Sequence, residues 1–225
     1  MTDLLIEARN LGRTYVQGGI PVPALVSASF CICKKDRIAI IGSSGSGKST
    51  LLHLMAALDT PSSGRIEWPT LGKPEQLLPS KISLAFQSPS LLAPLTVAEN
   101  IELPLIVGHS EREIGSAVST ALQTFDLISL KDKLPEELSG GQVQRVALAR
   151  AIAGNPSLIL ADEPTGQLDQ PTGRAVLDAL LLHLEGTDTA LVISTHDPAV
   201  AARMQQVWCM QRGLLFTTDL PEVSP

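Results

Sequence analysis

The sequence predicts an α/β fold built on a mostly parallel sheet with helices on both faces. Three observations carry this. Short aliphatic runs recur at 37–41, 82–86, 158–161 and 189–194; each suits a strand buried on both sides and is too short to cross a bilayer. Between them lie segments with apolar residues at three- and four-residue spacing, the helical period. Clusters of Gly, Pro and Ser punctuate the alternation. The chain has 225 residues, which suits one domain, or one domain with a lobe inserted, and is ample for a buried core.

Taken in order, residues 4–11, 26–33 and 37–41 read as strands, apolar or alternating and rich in Ile and Val. Residues 42–47 interrupt the pattern, and a helix follows through 50–58 until Pro61, Ser62, Ser63 and Gly64 stop it. After the strand at 82–86 the character changes. Residues 96–106 and 111–127 read as helices, punctuated by Pro94, Pro104, Gly108 and Pro135, so residues 87–135 form an expected helical lobe within a single 1–225 domain. Helix 141–153 then leads to strand 158–161, and helix 172–184 to strand 189–194. A short helix near 198–203 precedes a terminal hairpin, 207–210 with 214–217, turning at Arg212 and Gly213. Residues 219–225 are expected to be loosely held.

Composition narrows the function. Hydrophobic residues make up 44% and aromatics 3%, so the core is aliphatic and base-stacking platforms are not expected. The formal net charge is −6 with no dense basic run, which argues against nucleic acid as a partner. The N-terminal stretch carries Asp3 and Glu7 early and lacks the profile of a signal peptide. Cys31 and Cys33 share one face of a strand, Cys209 lies far away, and a zinc site lacks its second pair of ligands; all three read as small buried hydrophobes of a cytoplasmic protein.

Two constellations carry chemistry. Gly42, Ser43, Ser44, Gly45, Ser46, Gly47, Lys48 and Ser49 fit G-x-x-x-x-G-K-[ST], with a strand before and a helix after. Glycines let backbone N–H groups turn inward around phosphate oxygens, and the helix N-terminus adds partial positive charge. Lys48 brings a full charge to the β- and γ-phosphates. The Ser49 hydroxyl suits Mg²⁺, and Thr50 can donate to the α-phosphate. The second constellation is an apolar strand ending in two carboxylates. Asp162 is placed to hold Mg²⁺, and Glu163 to polarise an attacking water as general base.

A third motif is more specific. Leu138, Ser139, Gly140, Gly141 and Gln142 open a helix, making a second anion site from a hydroxyl, two exposed backbone N–H groups and a helix N-terminus. This stretch resembles the signature of the ABC family of ATP-binding subunits. The resemblance implies a P-loop NTPase core with an N-terminal antiparallel β-lobe and an inserted helical lobe. It also implies ATP and Mg²⁺ as cofactors, and ATP hydrolysis by two subunits closed face to face, each lending Ser139, Gly140, Gly141 and Gln142 to the γ-phosphate held by the other. By the same resemblance Tyr15 stacks on adenine, and Gln87 reaches Mg²⁺ and the attacking water. Asp169 lies in a loop crossing the dimer interface, and His196 contacts the γ-phosphate and orients Glu163.

Residues 57–64, 95–101 and 161–166 look most like the macrolide-export, lipoprotein-release and cell-division type. There a pair of ATPases, identical or not, works beneath four-helix membrane permease subunits, on the inner face of the cell membrane. The implied function is to power export or membrane extraction; the alternative is a regulatory ATPase that transmits a signal to its membrane partner. Two departures stand out. Gln167 occupies a position where that group usually has Asn. Residues 67–80 are short and carry Pro69, Pro74 and Pro79, which bears on the local β-lobe.

Overall fold

The structure is a computed structural model, described for residues 3–106 and 110–217. Gly108 and the expected loose tail at 219–225 lie outside the described residues. A nine-stranded sheet organises the chain. Its strands are β1 (Leu4–Gln17), β2 (Ile20–Cys33), β3 (Arg37–Ile41), β4 (Ser63–Glu67), β5 (Ile82–Ala85), β6 (Leu158–Asp162), β7 (Ala190–Thr195), β8 (Gln206–Gln211) and β9 (Leu214–Phe216), in the order β4-β1-β2-β9-β8-β3-β7-β6-β5. The neighbours from β8 to β5 all pair in parallel. β1 pairs antiparallel with both β2 and β4, forming the expected N-terminal lobe. The β2–β9 contact is parallel and β8–β9 antiparallel, which joins the lobe to the core.

The strand period of two divides the core between two faces. Ile38, Ile40, Leu158, Leu160, Ala190 and Val192 point to one side, where helix α1 (Lys48–Met55) brings Leu51, Leu52, Leu54 and Met55. Ala39, Ile159, Ala161, Leu191 and Ile193 point to the other, packed by α2 (Val97–Glu102), α3 (Glu111–Thr124), α4 (Gly140–Ala153) and α5 (Gln170–Leu184). Burial on both faces explains why these strands read as unbroken apolar runs rather than alternating ones.

Several boundaries differ from the sequence reading. β1 and β2 run on past the expected limits into a long hairpin that turns at Gly18 and Gly19, both with positive φ. The helix expected over 96–106 ends at Glu102 and continues as a 3-10 turn over Leu103–Leu105, because Pro104 has no N–H to extend an α-helix. α2 begins with a capping box, the Thr96 hydroxyl accepting from Glu99 N and the Glu99 carboxylate from Thr96 N. Residues 67–80 do not interrupt the lobe. β4 pairs with β1, the Trp68 indole N–H donates to the Met55 carbonyl at 2.9 Å, and Leu71 and Leu77 are buried.

The cysteines need correction. Cys31 and Cys33 do share a face of β2, but it is the half-buried one; Phe30 and Ile32 take the core side. Burial pushes both thiols up, assisted by Glu7 at Cys31 and Asp36 at Cys33. Cys209 is exposed.

Candidate active site

The loop after β3 and the ends of β6 and β7 converge because parallel strands deliver their C-terminal ends to one edge of the sheet. A cavity of about 580 Å³ opens there. It is lined by residues 44–50 together with Ala24, Gln87, Asp162, Glu163 and His196. Gly42 and Ser43 are not among the lining residues; their carbonyls accept from Lys48 Nζ at 2.9 and 3.3 Å. Gly47, the N-cap of α1, has φ 105°, and a Cβ there would stand 2.3 Å from the Ala24 carbonyl. Only glycine lets the loop pass so close to β2.

Ionisable side chains stand close together here, Lys48 and Glu163 largely buried and His196 exposed. Lys48 Nζ lies 3.9 Å from Glu163 Oε1. His196 Nδ1 lies 2.8 Å from Glu163 Oε2. Asp162, itself buried, accepts at Oδ1 from the Ser194 hydroxyl. Glu163 follows the end of β6 with φ 48°, a left-handed conformation disfavoured for any residue with a Cβ. Its N–H donates to the Ser194 carbonyl at 3.1 Å and lies 3.2 Å from Ser194 Oγ. Register explains the role of Ser194: in the parallel β6–β7 pair it stands opposite Asp162. Nothing in the residues adjacent to Ser194 marks this role, which rests on strand register alone.

Other expected residues lie apart from the cavity. Tyr15 is not among its lining residues. One face of its ring is covered by the Arg13 guanidinium, 4.7 Å from the centroid, and its hydroxyl donates to Asp59 Oδ2 at 2.7 Å. Arg13 also bridges to Asp59 Oδ1 at 2.7 Å. Against the upward push of burial, the Tyr15 hydroxyl, the Thr60 N–H and the Arg13 charge hold the Asp59 carboxyl below its usual range.

Ser139, Gly140, Gly141 and Gln142 also stand off from this chain's own cavity. They open α4 with a capping box: Ser139 Oγ accepts from Gln142 N at 3.3 Å and Gln142 Oε1 from Ser139 N at 2.8 Å. Asp169 caps α5, accepting from Thr172 N at 3.0 Å, which holds its carboxyl low. Gln87 enters the cavity from a loop pinned at two points. The buried Asn100 amide binds the Leu92, Leu95 and Thr96 carbonyls, and Arg150 Nη1 donates to the Ser90 carbonyl at 2.9 Å.

A family model described as ABC transporter matches residues 25–166. The chain is 38% identical over 229 aligned positions to the lipoprotein-releasing system ATP-binding protein LolD of Legionella pneumophila, covering 97% of this chain and 100% of that protein. It is 36% identical to the protein of the same name from Shewanella oneidensis, over 96% of this chain and 97% of that one. Among solved structures, the dimeric post-hydrolysis state of the ATP-binding cassette MJ0796 bound to ADP and Pi gives a TM-score of 0.86 at 34% identity, covering 96% of this chain and 100% of that one. The structure of cbiO1 from Clostridium perfringens, part of the ABC transporter complex cbiONQ, gives 0.81 at 27% identity, covering 95% and 87%.

Proposed function

The chain belongs to the ABC transporter family as an ATP-hydrolysing subunit that works with a second ATPase subunit and a membrane permease, and from that premise we propose how its residues divide the work. The observation that carries the proposal is the convergence of residues 44–50, Gln87, Asp162, Glu163 and His196 on one cavity. Residues 42–50 surround the phosphates of ATP with backbone N–H groups, and Lys48 neutralises charge developing at the γ-phosphate. Glu163 takes the proton of the attacking water. His196, at 2.8 Å from its carboxylate, fixes its direction and meets the γ-phosphate. Tyr15 offers its ring to the adenine.

The donor set also fits Mg²⁺. Ser49, Gln87 and Asp162 offer a hydroxyl, an amide carbonyl and a carboxylate oxygen, the kind of ligand a hard divalent cation prefers, and Asp162 has one oxygen already engaged by Ser194. When bound, the ion would neutralise charge on the β- and γ-phosphates. Ser139, Gly140, Gly141 and Gln142 serve the γ-phosphate held by a second subunit, which accounts for their standing off from this chain's own cavity. The segment 87–135 acts as a helical lobe of the one domain and carries the state of the nucleotide to the permease.

No helix among the described residues is long and apolar enough to cross a membrane. We place the subunit at the inner face of the cell membrane. By its likeness to LolD, the ATP-binding protein of a lipoprotein-releasing system, we infer that the permease it powers releases lipoproteins. Glu163→Gln tests the central assignment. ATP turnover is expected to fall at least about 100-fold, while ATP binding persists and the pair becomes stable enough to isolate by gel filtration. Turnover at the parent rate would remove Glu163 from the role of base. The same stabilised pair, used to capture its partner from native membranes, should retain a permease.

A further inference from the structure

Gln144, on α4, is 2% exposed, yet it is polar. Its Nε2 donates to the backbone carbonyl of Glu163 at 3.1 Å, and its Oε1 has no partner among the described residues. Burying an amide with one end unpaired costs stability, and a side chain serving packing alone would do better apolar. The bond it makes falls on the strained residue of the site. Glu163 holds φ 48°, and the direction of its Cα–Cβ bond, hence of its carboxylate, depends on keeping that conformation. The N–H side of the residue is tied to Ser194, and the carbonyl side to Gly166 N at 3.0 Å and to Gln144. Ser194 and Gly166 belong to β7 and to the turn that follows Glu163. Gln144 reaches in from the helix that begins at Ser139.

We propose that Gln144 is a positioning residue: it ties the orientation of the Glu163 carboxylate to the position of α4. This rests on the reading of Glu163 as base. α4 serves the partner's nucleotide at its N-terminus and, at the same time, grips this chain's own hydrolytic carboxylate through Gln144. Near its other end Arg150 holds the loop that carries Gln87, by the Ser90 carbonyl. Hydrolytic competence in one site therefore depends on where the helix serving the other site sits, without any direct contact between the two nucleotides.

Gln144→Met has the same reach and no donor. The variant is expected to lose about tenfold in kcat. KM for ATP should stay within about twofold, because residues 42–50 and Ser139 are untouched. ATP-driven pairing should persist, and the melting temperature should hold, because the unpaired amide oxygen leaves with the donor. Gln144→Asn, which keeps the amide and shortens its reach, should fall likewise and supplies a second folded variant. In a Glu163→Gln background, Gln144→Met should lower the residual turnover no further, since it acts through that side chain. Parent kcat in both Gln144 variants would overturn the proposal. So would a kcat loss that multiplies in full onto Glu163→Gln, or a loss of melting temperature in Gln144→Met that tracks its loss of rate. Parent turnover in Glu163→Gln alone would instead refute the base assignment, so the two failures are distinguishable.

Discussion

Replacing Ser194 by Ala tests whether the buried pair at the ends of β6 and β7 holds the site together. Ser194 is 0% exposed and Asp162 6%. The hydroxyl donates to Asp162 Oδ1, a hydrogen bond to a carboxylate. Losing it leaves a nearly buried carboxylate oxygen without that donor, a change worth about 1.5–3 kcal/mol. The Glu163 N–H adds little to the loss, because it keeps the Ser194 backbone carbonyl at 3.1 Å. For a chain of this size each kcal/mol moves Tm by about 2–4 °C, so the expected drop is about 3–12 °C. Asp162 also loses its fixed direction toward the cavity, and kcat at saturating MgATP is expected to fall by about tenfold, with a higher Mg²⁺ concentration needed for half-maximal rate. Thermal melting by circular dichroism and a steady-state phosphate-release assay read both effects. A variant that melts within about 1 °C of the parent and turns over normally would refute the energetic role given to this pair.

Gly47→Ala sets a side chain at φ 105°, 2.3 Å from the Ala24 carbonyl, and should cost about 1–3 kcal/mol of strain while lowering nucleotide affinity; nucleotide titration and melting curves test both. Gly45→Ala, where a Cβ meets nothing within 4 Å, should melt closer to the parent. Asp59 contributes stability above its unfolded pKa near about 4 and loses it as pH falls through its depressed folded value. Melting temperature should therefore drop as pH falls below about 5, less steeply in Asp59→Asn, and equal slopes in the two proteins would count against the Arg13–Asp59–Tyr15 cluster.

The sequence by itself determined what lies along a contiguous stretch of chain. The loop at 42–50, the two carboxylates ending β6, the Ser139 helix start and the aliphatic strands are each written in neighbouring residues, because backbone phosphate cradles, strand ends and helix caps are local structures. The family resemblance built on them also carried Gln87 and His196, and both line the cavity with the loop. Tertiary structure decided what crosses from one element to another. Ser194 meets Asp162 through the register of two parallel strands, and Gln144 meets Glu163 through the packing of α4 on the sheet. Cys31 and Cys33 face away from the core because Phe30 and Ile32 fill it. Tyr15 was legible as a candidate, but its partners Arg13 and Asp59 were not, since Asp59 arrives from the far end of α1. A hydrogen bond between distant residues leaves no mark on the spacing of either, so the cavity's residues other than Ala24 could be named from the sequence while Ala24 and the contacts that hold Asp162 and Glu163 in place had to come from the fold.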